Sequence, residues 1–194
     1  MAGEPSNALR ALVTRRSIPA LQLREPGPSP DQISIAIDAA LRAPDHGNLK
    51  PWRCVLVRGA ARAQLSKLLV RRTQEREPAT PPPKLEKLRT MPLIAPLVVV
   101  VAARVRPDHK VPEIEQLLSC GAATMNMMTA FHAQGYASIW LTGGNAYDPQ
   151  VAGSLGLQPD ERCLGFLYVG STESANASAP PHLEHAAFVR DWSG

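Results

Sequence analysis

Between Glu113 and Gln134 the chain offers a helix that is apolar on nearly every face, and no other segment restricts the fold as strongly. A surface helix shows one apolar stripe and one polar side, whereas a helix apolar all round must be covered all round. Its own sheet can cover one side only. The other is expected to meet a second copy of the chain, which predicts an obligate homodimer. Gly135 stands where a helix C-cap prefers glycine. Ser119, Thr124, Asn126, Thr129, His132 and Gln134 break up the uncharged stretch that runs to Tyr147, so no membrane span is expected from it.

Other elements can be read around this helix. Leu9, Leu12 and Val13 share one face of a first helix, which ends in Thr14, Arg15, Arg16 and Ser17. Ser29, Pro30 and Gln32 form a capping-box pattern for a second, with Ile33, Ala36, Ile37, Ala40 and Leu41 as its apolar face and Pro44 as its stop. Cys54 to Val57 reads as a short strand, residues 60–76 as a basic helix, and Pro78, Pro81, Pro82 and Pro83 as a surface loop without regular structure. The valine-rich run Leu97 to Ala103 predicts a strand covered on both faces. Ala137 to Leu141 and Leu164 to Val169 supply two more, and an extended tail is expected from about residue 171, ordered by lying on another subunit. Strands mixed with helices predict a layered α/β or α+β sheet, and the absence of a GxGxxG after a strand argues against a Rossmann unit. The 194 residues are expected to form one domain.

Composition excludes several classes. With 44% hydrophobic and 20% charged residues the chain reads as an ordinary globular protein. The net charge of +4 is spread out rather than gathered in a basic stripe, which suits a phosphate-bearing small molecule better than nucleic acid. Cys54, Cys120 and Cys163 are odd in number and embedded in apolar runs, so a reducing compartment is expected. The polar start carries no export signal, and the cytoplasm is the expected location. His182 and His185 lack Cys or Asp partners, so no metal is expected.

Three segments carry candidate chemistry. Arg15-Arg16-Ser17 offers two guanidinium forks and a hydroxyl, suited to a phosphate monoester, although two arginines closing a helix also simply complement its dipole. Arg42 to Trp52 packs Arg42, His46, Asn48 and Lys50 into a turn stiffened by Pro44 and Pro51. It suits either a ligand site on a scaffold or a solvated loop whose Trp anchors the next strand. Trp140-Leu141-Thr142 runs into Gly143 and Gly144, where a flat ring can approach backbone N–H groups or the chain can simply turn. No P-loop, GxSxG elbow or catalytic carboxylate pair occurs.

In this order and spacing the segments resemble the nitroreductase family of FMN-dependent oxidoreductases, over roughly residues 7–170. Arg15-Arg16-Ser17 resembles the family's N-terminal phosphate motif. Ala43, Pro44, Asn48, Pro51 and Trp52 match its Ala-Pro-Ser-Ser-x-Asn-x-Gln-Pro-Trp segment, while Asp45 and His46 replace the two serines and Lys50 the glutamine. The Ala-Pro-Asp-His version, His109-Lys110-Val111-Pro112 and Gly165 to Gly170 are similar to the short bacterial branch of NAD(P)H nitroreductases.

The resemblance implies an α+β central sheet sandwiched by helices and a domain-swapped homodimer with two FMN sites at the subunit interface. Arg15, Arg16 and Ser17 would hold the phosphate and ribityl end from one subunit. Arg42, His46 and Asn48 would approach from the other, with Trp140, Leu141 and Thr142 beside the ring and Lys50 or Arg42 as the cation favouring its reduced form. The flavin would carry the chemistry, so no side-chain acid or base is required. NAD(P)H would be the co-substrate, and nitroaromatic, quinone-like or related small electrophiles the acceptors. The rival expectation is a flavin-binding or sensing protein of the same fold without efficient turnover. The larger relatives' C-terminal Arg/Lys phosphate motif is missing, with Arg190 as the one candidate.

Overall fold

The computed structural model of the protein describes residues 7–173 and 184–194. Four antiparallel strands form one sheet in the order β1-β2-β4-β3, from β1 (Trp52–Arg58), β2 (Leu97–Arg104), β3 (Ala137–Leu141) and β4 (Glu161–Gly170). The helices are α1 (Asn7–Thr14), α2 (Pro30–Ala40), α3 (Ala61–Arg76), α4 (Pro82–Ile94), α5 (Glu113–Ala133) and α6 (Pro149–Ser154).

β2 explains the layering. Successive side chains of a strand point to opposite faces, and Leu97 through Ala103 are all buried. Val98, Val100 and Ala102 enter one core with Leu65 and Leu69 of α3 and Met91 of α4. Leu97, Val99 and Val101 enter the other with Ile33 and Ala36 of α2 and Met127, Met128 and Phe131 of α5. Helices therefore lie on both faces of the sheet, as expected from the valine-rich run.

The capping box of α2 forms as predicted: the Gln32 N–H donates to Ser29 Oγ, and the Ser29 N–H donates to Gln32 Oε1. Two expectations need correction. The prolines after residue 77 do not all make loop, because Pro81 caps α4 while Pro82 and Pro83 occupy its first turn, where a missing N–H costs nothing. α1 forms as expected, with the Leu9, Leu12 and Val13 face exposed and Ala11 buried. β4 begins three residues earlier than expected, at Glu161.

The long helix is not covered on all sides by its own chain. Ile114, Leu118 and Met125 are exposed, each by more than a third, and at 100° per residue they fall on one stripe together with Gly121 and His132. Among the described residues no helix is long and apolar enough to cross a membrane. Ser171 pairs with Arg24, but residues 174–183, which include part of the expected tail and His182, lie outside the described residues.

Candidate functional site

The candidate residues collect at two ends of α5. At its C-terminal end, the chain leaving α1 runs along the outer edge of the sheet, where Ser17 bridges Ser138 of β3 and the Ile18 N–H donates to the Ser138 carbonyl at 3.1 Å. Thr14 Oγ1 meets His132 Nε2 at 2.9 Å, fixing this segment to the last turn of α5. Arg15 and Arg16 are half-buried and Ser17 is exposed. Arg15 carries the unusual feature: Nε and Nη1 are shielded from solvent and meet no hydrogen-bond acceptor among the described residues. An unmet buried donor costs about 1–3 kcal/mol. A guanidinium held in that condition fits an anionic group such as a phosphate.

At the N-terminal end of α5, the loop after α2 is stitched to the helix. His46 Nδ1 meets Glu115 Oε2 at 2.6 Å, Ser119 Oγ donates to the Pro44 carbonyl at 2.7 Å, and Trp52 Nε1 donates to Ser119 Oγ at 3.1 Å. Asp45, which stands where the family has serine, closes the loop on itself by accepting the Lys50 N–H at 2.8 Å. Gly47, Asn48 and Lys50 all take positive φ, of 76°, 53° and 50°. Two of these carry side chains, and left-handed conformations outside glycine store strain that clusters at functional sites. The loop is thus fixed rather than floppy, and Trp52 does anchor the strand. Arg42, His46, Asn48 and Lys50 are exposed around it, and the Lys50 ammonium has no partner among the described residues.

Glu115 and His132 are seventeen residues apart on one helix, a rise of about 26 Å. The Arg15 group and the His46 group therefore cannot hold the same small molecule from within one chain. Trp140, Leu141 and Thr142 stand at the far end of β3, which begins beside Ser17 at Ser138 and runs away from it toward Leu164. Trp140 and Leu141 are half-buried, Thr142 is exposed, and the Trp140 indole N–H donates to the Leu164 carbonyl at 3.1 Å.

Beyond β3 lies a polar network with no local sequence signal. Asp148, buried, caps α6 through the Gln150 and Val151 N–H groups and accepts from Arg72 at 3.0 Å and Arg76 at 3.1 Å. Burial alone would raise its pKa, but the hydrogen bonds from Arg72 and the helix N–H groups outweigh it and hold the carboxyl below its usual range. Buried Asn145 exchanges hydrogen bonds with Thr73 and donates to the Leu69 carbonyl. A Cβ on Gly144 would lie 2.5 Å from Arg76 Nη2, so the guanidinium packs directly against the glycine turn. A cavity of about 110 Å³ lies beside this turn, bordered by Leu141, Thr142, Gly143 and Arg76. A wider one of about 600 Å³ opens between Leu117, Tyr147, Leu157 and Leu164, and none of the predicted site residues lines it.

A family model described as the nitroreductase family matches residues 12–171. This chain belongs to the nitroreductase family. Among its relatives, Escherichia coli K12 "Putative NAD(P)H nitroreductase YdjA" is 36% identical over 168 residues, 86% of this chain and 89% of that protein. A Haemophilus influenzae protein named "Putative NAD(P)H nitroreductase" is 31% identical over 166 residues, 85% of this chain and 88% of that one. The crystal structure of a nitroreductase-like family protein from Bacillus cereus superposes with a TM-score of 0.82 at 22% identity, covering all of both chains. The FMN- and NADPH-dependent nitroreductase NfnB from sphigopyxis sp. strain HMH gives 0.74 at 19%, covering 96% of this chain and 99% of that one. At those identities the two structures share the fold with this chain. The nitroreductase match contains Arg15, the His46 loop and the β3 end, and leaves Arg190 outside it.

Proposed function

We propose that this nitroreductase is an FMN-dependent NAD(P)H oxidoreductase, working as a homodimer in the cytoplasm with the whole chain as one domain. Nitroaromatic, quinone-like or related small electrophiles are its acceptors. The observation that carries the reading is Arg15, whose shielded, unmet N–H groups at the sheet edge suit the phosphate of FMN. Arg16 and Ser17 extend that subsite toward the ribityl chain, and Trp140, Leu141 and Thr142 border the ring.

The span of α5 supports two chains per site. An antiparallel crossing of two α5 helices over the exposed stripe Ile114, Leu118 and Met125 would bring His46, Asn48, Arg42 and Lys50 of the partner subunit toward the Arg15 end. Gly121 sits near the middle of that stripe, and apart from its chain neighbours and the adjoining backbone of its own helix nothing among the described residues lies within 4 Å of where a Cβ would be. Glycine inside a helix costs about 1 kcal/mol relative to alanine, and a close helix crossing supplies the reason for it. Bound FMN would supply the hydride chemistry. The chain's own groups bind it, exclude water from its ring and place a cation, Lys50 or Arg42, where negative charge develops. No side-chain acid or base is needed, and neither nucleic acid nor a membrane is a partner.

The test is a visible spectrum of the purified protein followed by acceptor-dependent turnover. Flavin absorbance, retained with FMN and accompanied by NAD(P)H oxidation when menadione or nitrofurazone is added, is the expected result. A protein that neither carries nor takes up FMN overturns the reading. FMN uptake without NAD(P)H oxidation for any acceptor reduces it to a flavin-binding protein.

A further inference from the structure

Gly165 opens the Gly165 to Gly170 segment of β4, a stretch that the FMN subsites leave unused. Opposite it the pairing of β4 with β2 slips: Val101 faces Gly165 and Ala102 faces Cys163, so Leu164 is an extra residue with no partner of its own in that ladder. This is a β-bulge, which bends a strand, re-aims its side chains and is common beside active sites. Here Leu164 packs with Trp52 and Trp140 into the core on the α5 side of the sheet, while Cys163 enters the core under α3 and α4.

The bulge and Trp140 form one device. Gly165 has a φ of 131°, which residues with a side chain rarely adopt. A Cβ there would lie 2.5 Å from the Leu141 carbonyl oxygen, 2.7 Å from Trp140 Nε1 and 3.2 Å from Thr142 Cγ2. Those are the three residues assigned to the ring, so the missing side chain leaves the space that the end of β3 fills. The indole lies in that space and donates its N–H to the Leu164 carbonyl at 3.1 Å. An indole has one N–H and no acceptor, so this bond uses its whole hydrogen-bonding capacity. Every one of these contacts is made within one subunit, and none involves the exposed stripe of α5.

We propose that Gly165, with the bulge at Leu164, is the positioning residue for the wall of the flavin ring: it seats the Trp140 indole with its N–H committed to the protein, so that Trp140 offers the ring apolar contact and no hydrogen-bond donor. This rests on the reading that Trp140, Leu141 and Thr142 border the ring of FMN. The wall fixes where the ring lies, and compensation of the charge that develops on reduction is left to a cation, Lys50 or Arg42.

Wild type, Trp140→Ala, Trp140→Phe and Gly165→Ala test it, each titrated flavin-free with FMN and riboflavin and then followed at saturating FMN by visible circular dichroism and redox titration. Trp140→Ala should weaken both flavins alike, about three- to tenfold, the worth of an aromatic contact with the phosphate end untouched. Gly165→Ala pushes the indole from its seat. It should match that loss and also change the visible dichroism of bound FMN, a signature of the groups against the ring that a remote loss of stability does not move. Trp140→Phe keeps a flat apolar wall without the N–H, and the midpoint potential of its bound FMN should stay within about 30 mV of wild type, the equivalent of a tenfold change in the relative affinity of the two redox states. A folded Gly165→Ala with wild-type affinities, or with weaker binding and unchanged dichroism, overturns the positioning role. A larger potential shift in Trp140→Phe shows that the indole N–H serves the flavin and overturns the donor-free wall. Unchanged binding in Trp140→Ala instead sinks the placement of Trp140 beside the ring, the reading on which the proposal rests. If Gly165→Ala fails to fold, the Trp140→Phe potential decides.

Discussion

Replacing Arg15 by methionine should move stability and FMN affinity in opposite directions. Methionine reproduces the length of the side chain and removes the guanidinium. In the flavin-free protein Nε and Nη1 are shielded donors with nothing to donate to among the described residues. Each such donor costs about 1–3 kcal/mol, and because the residue is only half-buried the lower end of that range applies. Arg15→Met is therefore expected to stabilise the apoprotein by about 1–2 kcal/mol, a rise in Tm of roughly 2–8 °C for a chain of this size. In the proposed FMN complex the same two N–H groups would make charge-assisted bonds to phosphate, each worth about 1.5–3 kcal/mol. Losing both should weaken FMN at least a hundredfold. The assays are thermal unfolding of flavin-free protein at one fixed protomer concentration, since dimerisation shifts Tm by mass action, and flavin fluorescence titration with FMN and riboflavin. An apo variant less stable than wild type would show that the guanidinium has a partner, and the argument would fail even if FMN affinity fell.

Three further outcomes follow from the same geometry. Gly121→Ile should leave the subunit folded but block the α5 crossing, seen in sedimentation as a monomer with lost FMN binding; an intact dimer would place the interface elsewhere. Asp148→Asn should cost about 2–3 kcal/mol in urea unfolding at pH 7, less than the roughly 3–5 kcal/mol of a fully buried pair because Arg72 and Arg76 keep some contact with water. Since its folded pKa is lowered, Asp148's contribution is fully present above about pH 4, the unfolded value, and is lost as pH falls through the lower folded value; the variant's stability should therefore converge on wild type in that acid range. Lys50→Met should lower the FMN midpoint potential by roughly 10–20 mV, the equivalent of a solvent-screened charge pair, and Lys50→Arg should restore it; an unchanged potential makes Lys50 a plain surface residue.

What was legible in the sequence is what local chemistry fixes. The Ser29–Gln32 cap, the stop before Pro44 and the two-faced burial of β2 each depend on neighbours within a few residues, and each formed as read. The prolines at 81–83 misled because the same residue type that forbids a helix interior favours a helix start, and only the downstream pattern Leu85, Leu88, Met91 separates the two. Leu9, Leu12 and Val13 share a helix face as read, and that face is exposed: periodicity reports that a face exists, and says nothing of whether this chain or another covers it. The Arg72–Arg76–Asp148–Asn145 network was unreadable for a different reason. Its two segments pair residues 69–76 positions apart, and nothing in either segment selects the other before the sheet brings α3 against the glycine turn.

Apolar residues all round α5 predicted cover from its own sheet on one side and from a second copy on the other; within the chain the Ile114–Leu118–Met125 stripe is exposed, and the motif groups it separates stand about 26 Å apart. A single chain that displays both halves of a cofactor's recognition chemistry at that separation is built from residues that have no common ligand of their own. In the proposed homodimer the stripe would supply the missing relation. Two helices crossed antiparallel near Gly121 would convert the distance between the halves, end to end in one subunit, into adjacency across two. On that account the exposed apolar stripe and the unmet donors of Arg15 are one fact seen twice: each is a surface whose complement lies outside the chain, the first in another copy and the second in an anion.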